Sequence, residues 1–277
     1  MPRNLGSLDN IPKLPTLPNS PQGGDICIVG GMPFVALDNG VWGGPNNLIY
    51  PYAMHAWSPV AGATTNSGLG LTWTGTGTAR SYTPSNSSRI AALPVLEYAV
   101  TTASATAVAG YRSGAPFLWR QGGFVWRHIW RNGLGQTIAT HRAFVGLRGA
   151  NSAPTDIDPS TITNIIGMGW DAGDAQINII SNDGSGTATK IALGANFPRP
   201  TANNANAYYI ELIALPGASD VRYTIINLAN DAVATGVIST DIPGPTTLLQ
   251  IFGYASVGGT SSTISICASS TQILRGV

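Results

Sequence analysis

Between Gly122 and Leu147 the chain reads GGFVWRHIWRNGLGQTIATHRAFVGL, two alternating runs joined by a polar, glycine-containing connection. In the first run Phe124, Trp126, His128 and Trp130 fall on one face, and Val125, Arg127, Ile129 and Arg131 on the other. Successive side chains of a strand point to opposite sides, so a period of two specifies β-structure rather than helix. Similar runs follow to the C-terminus, near 115–120, 140–148, 162–170, 174–182, 187–193, 206–215, 220–229, 232–239, 246–256 and 262–274. Turn chemistry separates them: Asn132-Gly133, Asp183-Gly184, Pro216-Gly217, Pro243-Gly244-Pro245. Many short strands at regular spacing predict an all-β sandwich or barrel, with at most a single helical turn near Pro159 to Asn164.

The N-terminal third differs. Residues 1–24 hold Pro2, Pro12, Pro15, Pro18 and Pro21, which favour an extended, polyproline-like arm. Leu5, Leu8, Ile11, Leu14 and Leu17 recur every third residue, so the arm carries one apolar stripe. Asp25 to Trp42 reads as a hairpin or small β-unit with turns at Gly30-Gly31 and Asp38-Asn39-Gly40. Residues 43–89 read as loop-rich, and 90–110 as a small-residue strand or linker. The expected division is therefore an arm (1–24), a small β attachment region (25–110) and a sandwich (111–277).

Charged residues make up 10% of the 277, against about 25% in an ordinary soluble domain. With many small polar residues, this composition suits a surface covered by copies of the same chain, and a cyclic homotrimer is expected. A net charge of +1 without a basic cluster gives no reason to expect nucleic acid. No run reaches the roughly 18 apolar residues of a membrane span. The N-terminus lacks a signal-peptide pattern, so synthesis in the cytoplasm is expected. Cys27 and Cys267 are too far apart for a metal motif, and each sits in an apolar run, where a free buried thiol is expected.

Catalytic signatures are lacking: no Gly-x-Ser-x-Gly, His-Glu-x-x-His, phosphate loop or EF-hand loop is present. No cofactor or catalytic metal is expected. His128, between two tryptophans, reads as a packed histidine rather than a general base. Asp156 and Asp158, with Asp171 or Asp174, have the oxygen chemistry of half a calcium site, but capped turns are the commoner use of such aspartates. Glu97 and Glu211 are the sole glutamates, and a glycosidase needs two facing carboxyl groups. Trp126, Trp130, Trp170 and Tyr254 are candidates for stacking on sugar rings, although most aromatic residues belong in a core.

Three groups carry a resemblance: Arg142-Ala143-Phe144-Val145-Gly146-Leu147, Gly167-Met168-Gly169 and Asn182-Asp183-Gly184. A strand ending in Gly-Leu, a polar loop, a Gly-x-Gly strand and an Asn-Asp-Gly turn resemble the C-terminal domain of bacteriophage tail-fibre and related virion-fibre proteins. The stretch GDICIVGGMPFVALDNGVW also resembles units that join such fibres to a virion. The resemblance implies a jelly-roll, concanavalin-like sandwich in a virion appendage, with no enzymatic residue to carry over. It implies attachment to other virion proteins through Leu8, Ile11, Leu14 and Leu17, and host adhesion through a cell-surface glycan. Alternatives are a capsid decoration protein such as a head fibre, and a glycan-cleaving fibre tip.

Overall fold

The computed structural model describes residues 13–14, 26–29, 32–36, 42–43, 54–57, 65–68, 71–82, 88–114, 116–135 and 137–275. The chain divides into two units, residues 1–54 with 274–277, and residues 55–273.

The first unit contains a four-stranded sheet of β1 (Lys13–Leu14), β2 (Ile26–Val29), β3 (Met32–Ala36) and β4 (Trp42–Gly43), in that order. Val29 pairs with Met32. Ala36 pairs with Trp42; the turns expected at Gly30-Gly31 and Asp38-Asn39-Gly40 lie outside the described residues. β1 joins β2 in parallel, Leu14 opposite Val29. Leu8, Ile11 and Leu17 lie outside the described residues.

The second unit is a sandwich of two antiparallel sheets. Its strands are β5 (Met54–Trp57), β6 (Thr65–Gly68), β7 (Leu71–Thr76), β8 (Thr78–Tyr82), β9 (Val95–Ser104), β10 (Val108–Ser113), β11 (Phe124–Asn132) and β12 (Arg142–Arg148). There follow β13 (Ile165–Trp170), β14 (Asn178–Asn182), β15 (Thr189–Ala192), β16 (Ala207–Ala214), β17 (Val221–Asn227), β18 (Ala232–Ile238), β19 (Gln250–Ser256) and β20 (Ser262–Arg275). One sheet runs β15-β14-β13-β12-β19-β10-β7-β6; the other runs β18-β17-β16-β11-β20-β9-β8, with β5 pairing β20 off that path. The only helical turn among the described residues is the 3-10 turn Pro159–Thr161, and no helix is long and apolar enough to cross a membrane.

The alternation of the opening stretch resolves as expected. Phe124, Trp126 and Trp130 point into the core between the sheets, beside Leu212, Ile210 and Tyr208 of β16. Burial on both faces distinguishes β12, β13, β14 and β19: a second apolar cluster of Phe144, Ile162, Ile165, Ile180, Phe252 and Tyr254 covers the far side of their sheet. The segment 149–164 folds over this cluster, with the Tyr254 hydroxyl donating to the Ile157 carbonyl at 2.7 Å.

The expected boundary at residue 111 does not coincide with the fold. β7 to β10 are integral strands of both sheets, and residues 25–54 belong with the first unit. Their pattern is faint because inward positions carry small residues. Trp73 is followed inward by Gly75, whose missing Cβ makes room for the Tyr98 ring from the opposite sheet. The 115–120 segment contributes only an isolated bridge, Leu118 to Leu249.

β7 and β8 are one extended stretch that passes from one sheet to the other, and the bend is Gly77, with φ of 91°. A Cβ there would stand 2.8 Å from the Ala99 carbonyl oxygen. Gly77→Ala is expected to lower stability by about 1–3 kcal/mol through left-handed strain and overpacking. Urea titration checks this: the midpoint should fall with the slope unchanged.

Candidate functional site

The sheet of β18, β17, β16 and β11 has one face in the core and one outside. Burial alternates residue by residue along β16, β17 and β18, the signature of an antiparallel sheet open on one side. Register then fixes which outward side chains are neighbours. Arg127 lies opposite Glu211, Glu211 opposite Thr224, and Thr224 opposite Thr235. Beyond Arg127, Gln272 of β20 completes the row: Arg127 Nη1 donates to Gln272 Oε1 at 2.9 Å. A polar stripe therefore crosses five strands, about 19 Å at four inter-strand spacings.

An apolar row runs beside it. Ile129 lies opposite Tyr209, Tyr209 opposite Ile226, and Ile226 opposite Val233. On the other flank Val125, Ile213, Arg222 and Val237 are in line by the same registers. The two rows meet at Tyr209, whose hydroxyl donates to Glu211 Oε2 at 3.2 Å. Arg127 Nε reaches the same oxygen at 2.5 Å. This bond raises the Arg127 pKa above its ordinary value. Partial burial, then the Glu211 charge, pushes the Tyr209 phenol up to about 12. Tyr209 and Arg127 are thus held in place at neutral pH, each partly open to solvent.

The sequence singled out Glu211 as a candidate acid without identifying a partner for it, and Glu97 is the one other glutamate. Both lie outward on this sheet, but β16 and β9 are three strand spacings apart, about 14 Å. That exceeds the roughly 5–9.5 Å of paired glycosidase carboxyl groups. Glu97 is buried and accepts the Ser265 hydroxyl at 2.6 Å. Cys267, beside it, is a free thiol that burial pushes up to about 12; the side chain of Cys27 lies outside the described residues.

Trp126, Trp130, Trp170 and Tyr254 are all buried. Trp130 stacks on Trp170, with centroids 6.2 Å apart, and Tyr254 packs on Phe252. In this structure none of the four offers a ring face to a sugar. Tyr209 is partly open to solvent on the outer face, and its signal was available: it alternates with Ile210 on an amphipathic strand and shares the outward parity of Glu211.

The aspartates near 156–174 serve the chain itself. Asp156 accepts the N–H groups of Gly258 and Gly259, and Asp158 that of Ala172. Asp171 accepts Ser160 N–H and Asp174 accepts Asp171 N–H, while the Lys190 ammonium sits between the two carboxylates at 2.8 and 2.5 Å. Burial pushes Asp171 up, but the Lys190 and Ser160 hydrogen bonds outweigh it and hold its pKa below the ordinary value. Among the described residues no group of three or more His, Cys, Asp or Glu is arranged to hold a metal ion. An open groove of about 650 Å³ lies at the Gly77 corner, lined by Thr76, Val100, Ser104, Val108, Pro154 and Asp156 among others.

No family model matches the chain, and no curated protein matches it. Among solved structures, the lectin UEA-II complexed with galactose is 11% identical, with 81% of this chain and 99% of that chain covered and a TM-score of 0.50. Lectin II from Ulex europaeus gives 11%, 81% and 99%, and 0.49. A carbohydrate esterase from the Shiga toxin-encoding bacteriophage phi24B gives 10%, 74% and 90%, and 0.43. At such identities the likeness to UEA-II shows the fold: an all-β, concanavalin-like sandwich of two antiparallel sheets.

His128 and His141 are buried within the sandwich. Burial lowers both to about 3, helped for His141 by the Arg199 charge. A histidine depressed in the fold stays neutral while the unfolded chain takes up a proton. Its stabilisation is complete above pH 6.5 and is lost as pH falls toward 3. Each histidine should contribute a slope of about 1.4 kcal/mol per pH unit across that window. Denaturant titrations between pH 7 and 4 check this, and His128→Gln should remove about half of the slope.

Proposed function

We propose that this protein is a bacteriophage virion appendage, fibre-like, whose sandwich binds a host-surface glycan on the outer face of the β11-β16-β17-β18 sheet. The observation that carries the reading is the polar stripe Gln272–Arg127–Glu211–Thr224–Thr235 beside the apolar row Ile129–Tyr209–Ile226–Val233. A sugar chain has hydroxyl edges and C–H faces. A row of donors and acceptors next to a tyrosine ring and branched aliphatic side chains matches both. Because Arg127 already bonds both Gln272 and Glu211, and Tyr209 bonds Glu211, little side-chain entropy is lost on binding. A straight stripe of this length suits several linked sugar units rather than a single one.

Placement on a virion rests on the resemblance of the 141–198 region to fibre domains and of residues 24–42 to fibre-joining units. Attachment by the N-terminal unit, with residues 1–24 reaching other virion proteins, completes the reading. Several identical modules, a trimer by the expectation from composition, convert weak glycan contacts into avidity.

Tyr209→Ala and Arg127→Ala should each weaken binding to host surface polysaccharide at least tenfold, about 1.4 kcal/mol, while the melting temperature stays close to that of the unaltered protein. Calorimetric titration with purified polysaccharide measures this. Unchanged affinity in both variants would remove the stripe as the site. Release of reducing sugar, abolished by Glu211→Gln, would instead move the protein to the glycan-cleaving class. Deleting residues 1–24 should leave the sandwich folded and the protein missing from assembled particles. Normal copy number of the truncated chain would place attachment elsewhere.

A further inference from the structure

β18 is the outer strand of the stripe-bearing sheet, and its sequence is AVATGVI. Edge strands of soluble proteins are normally blunted by charge, proline or a bulge, because their free N–H and C=O groups invite another strand. β8, at the other edge of this sheet, carries Arg80, and β15, an edge of the facing sheet, carries Lys190. β18 has neither a charge nor a proline over seven residues, and Val233 and Val237 are 59% and 52% exposed. Its inward side is well anchored: Ile238 is in the core, and Tyr223 lies over Gly236.

The outward pattern is symmetric about Thr235. Val233 and Val237 flank it at two residues, and Ala234 and Gly236, both small, at one. Antiparallel pairing of two β18 strands about a two-fold axis at Thr235 would set Val233 of each copy against Val237 of the other. Thr235 would face Thr235, and Ala234 would face Gly236. Such an isologous contact closes on itself.

We infer that β18 pairs with β18 of a second copy of this chain, joining two sheets into one. Thr235 is also the terminal member of the polar stripe, so the pairing runs the stripe without a break from Gln272 of one copy to Gln272 of the other. The glycan surface doubles in length, and each half is contributed by a different chain. The pairing itself stands on the edge strand alone; only its use as a continuous binding surface rests on the function proposed above. The contact is compatible with other assembly contacts, but it requires an even number of copies: a dimer, or a hexamer where a three-fold contact also forms.

Light scattering on the full chain over a concentration series is the test. An even-numbered assembly is expected; a monomer or a trimer over the whole series overturns the pairing. The register is tested by charge. V233K/V237K places like charges opposite each other and should raise the dissociation constant of the assembly at least about tenfold, whereas V233K/V237E places opposite charges together and should restore it. Both sites are exposed, and thermal unfolding of each variant verifies that the sandwich persists. If the two variants dissociate alike, the register about Thr235 is wrong. If the unaltered chain binds glycan but never pairs, the edge contact fails and the stripe stands. If copies pair but no glycan binds, the stripe fails and the edge contact stands.

Discussion

A buried hydrogen-bonded chain links the two sheets and sets how they face one another. Tyr111, on β10, brings its hydroxyl to 2.7 Å from His128 Nε2 on β11 of the opposite sheet, and His128 Nδ1 lies 2.5 Å from Thr271 Oγ1 on β20. A neutral imidazole has one donor and one acceptor nitrogen, so the chain has a direction and both of its ends are satisfied. All three groups are buried, where an unpaired polar atom costs about 1–3 kcal/mol. Sliding one sheet against the other would break the Tyr111–His128 bond, while the His128–Thr271 bond, between neighbouring strands of one sheet, holds the imidazole in place for it. The tyrosine fits because its strand partners on both sides are glycines, Gly75 and Gly253, and a Cβ on Gly253 would overlap the Tyr111 ring. Trp126 stacks on His128 at 5.5 Å, so aromatic packing seals the chain from water.

With the sheets fixed, their outer faces have different fates. The β12-β13-β14-β19 face is roofed by the chain itself. Phe144, Phe252 and Tyr254 form its floor, the 149–164 segment closes it, and the Arg148 guanidinium lies 4.7 Å from the Phe252 ring centre. The aspartates of that region are spent on backbone N–H groups and on Lys190. Among the described residues, no such roof covers Tyr209, Thr224 and Val233 on the β11-β16-β17-β18 face. The outward rows of side chains thus stand on the more open face, although the loop-rich roofed side has more of the acidic residues that first draw attention in the sequence.

Much of the sandwich was legible because alternation survives wherever one face is wet. β16, β17 and β18 show the period of two along almost their whole length, and in β11 it survives at Arg127 and Ile129. β7 to β10 did not announce themselves, since Gly75, Ala107 and Ala109 occupy inward positions where size, not hydrophobicity, is what packing demands. The aromatic candidates were misleading for a physical reason: a tryptophan on an alternating strand is far more valuable in the core than on the surface, and hydropathy does not say which face is inside until the partner sheet is known. Glu211 and Arg127 were both visible as outward residues. Their pairing was not, because strand order and register are long-range facts.

The stripe is a property of register alone. Arg127 and Gln272 are 145 positions apart in the chain, and each strand contributes a single side chain to the row. No short motif could encode such a surface. What encodes it is the core beneath: Leu212, Ile210 and Tyr208 pack opposite Trp126, His128 and Trp130, and this inward match aligns Glu211 with Arg127 on the outside. A slip of one residue in either strand would turn the whole set to the other face, burying Arg127 and exposing Trp126. The cost of that slip is the cost of exposing the aromatic core, many times the strength of the surface ion pair itself. The outer row of side chains is thus held in place by residues on the opposite face of the same strands.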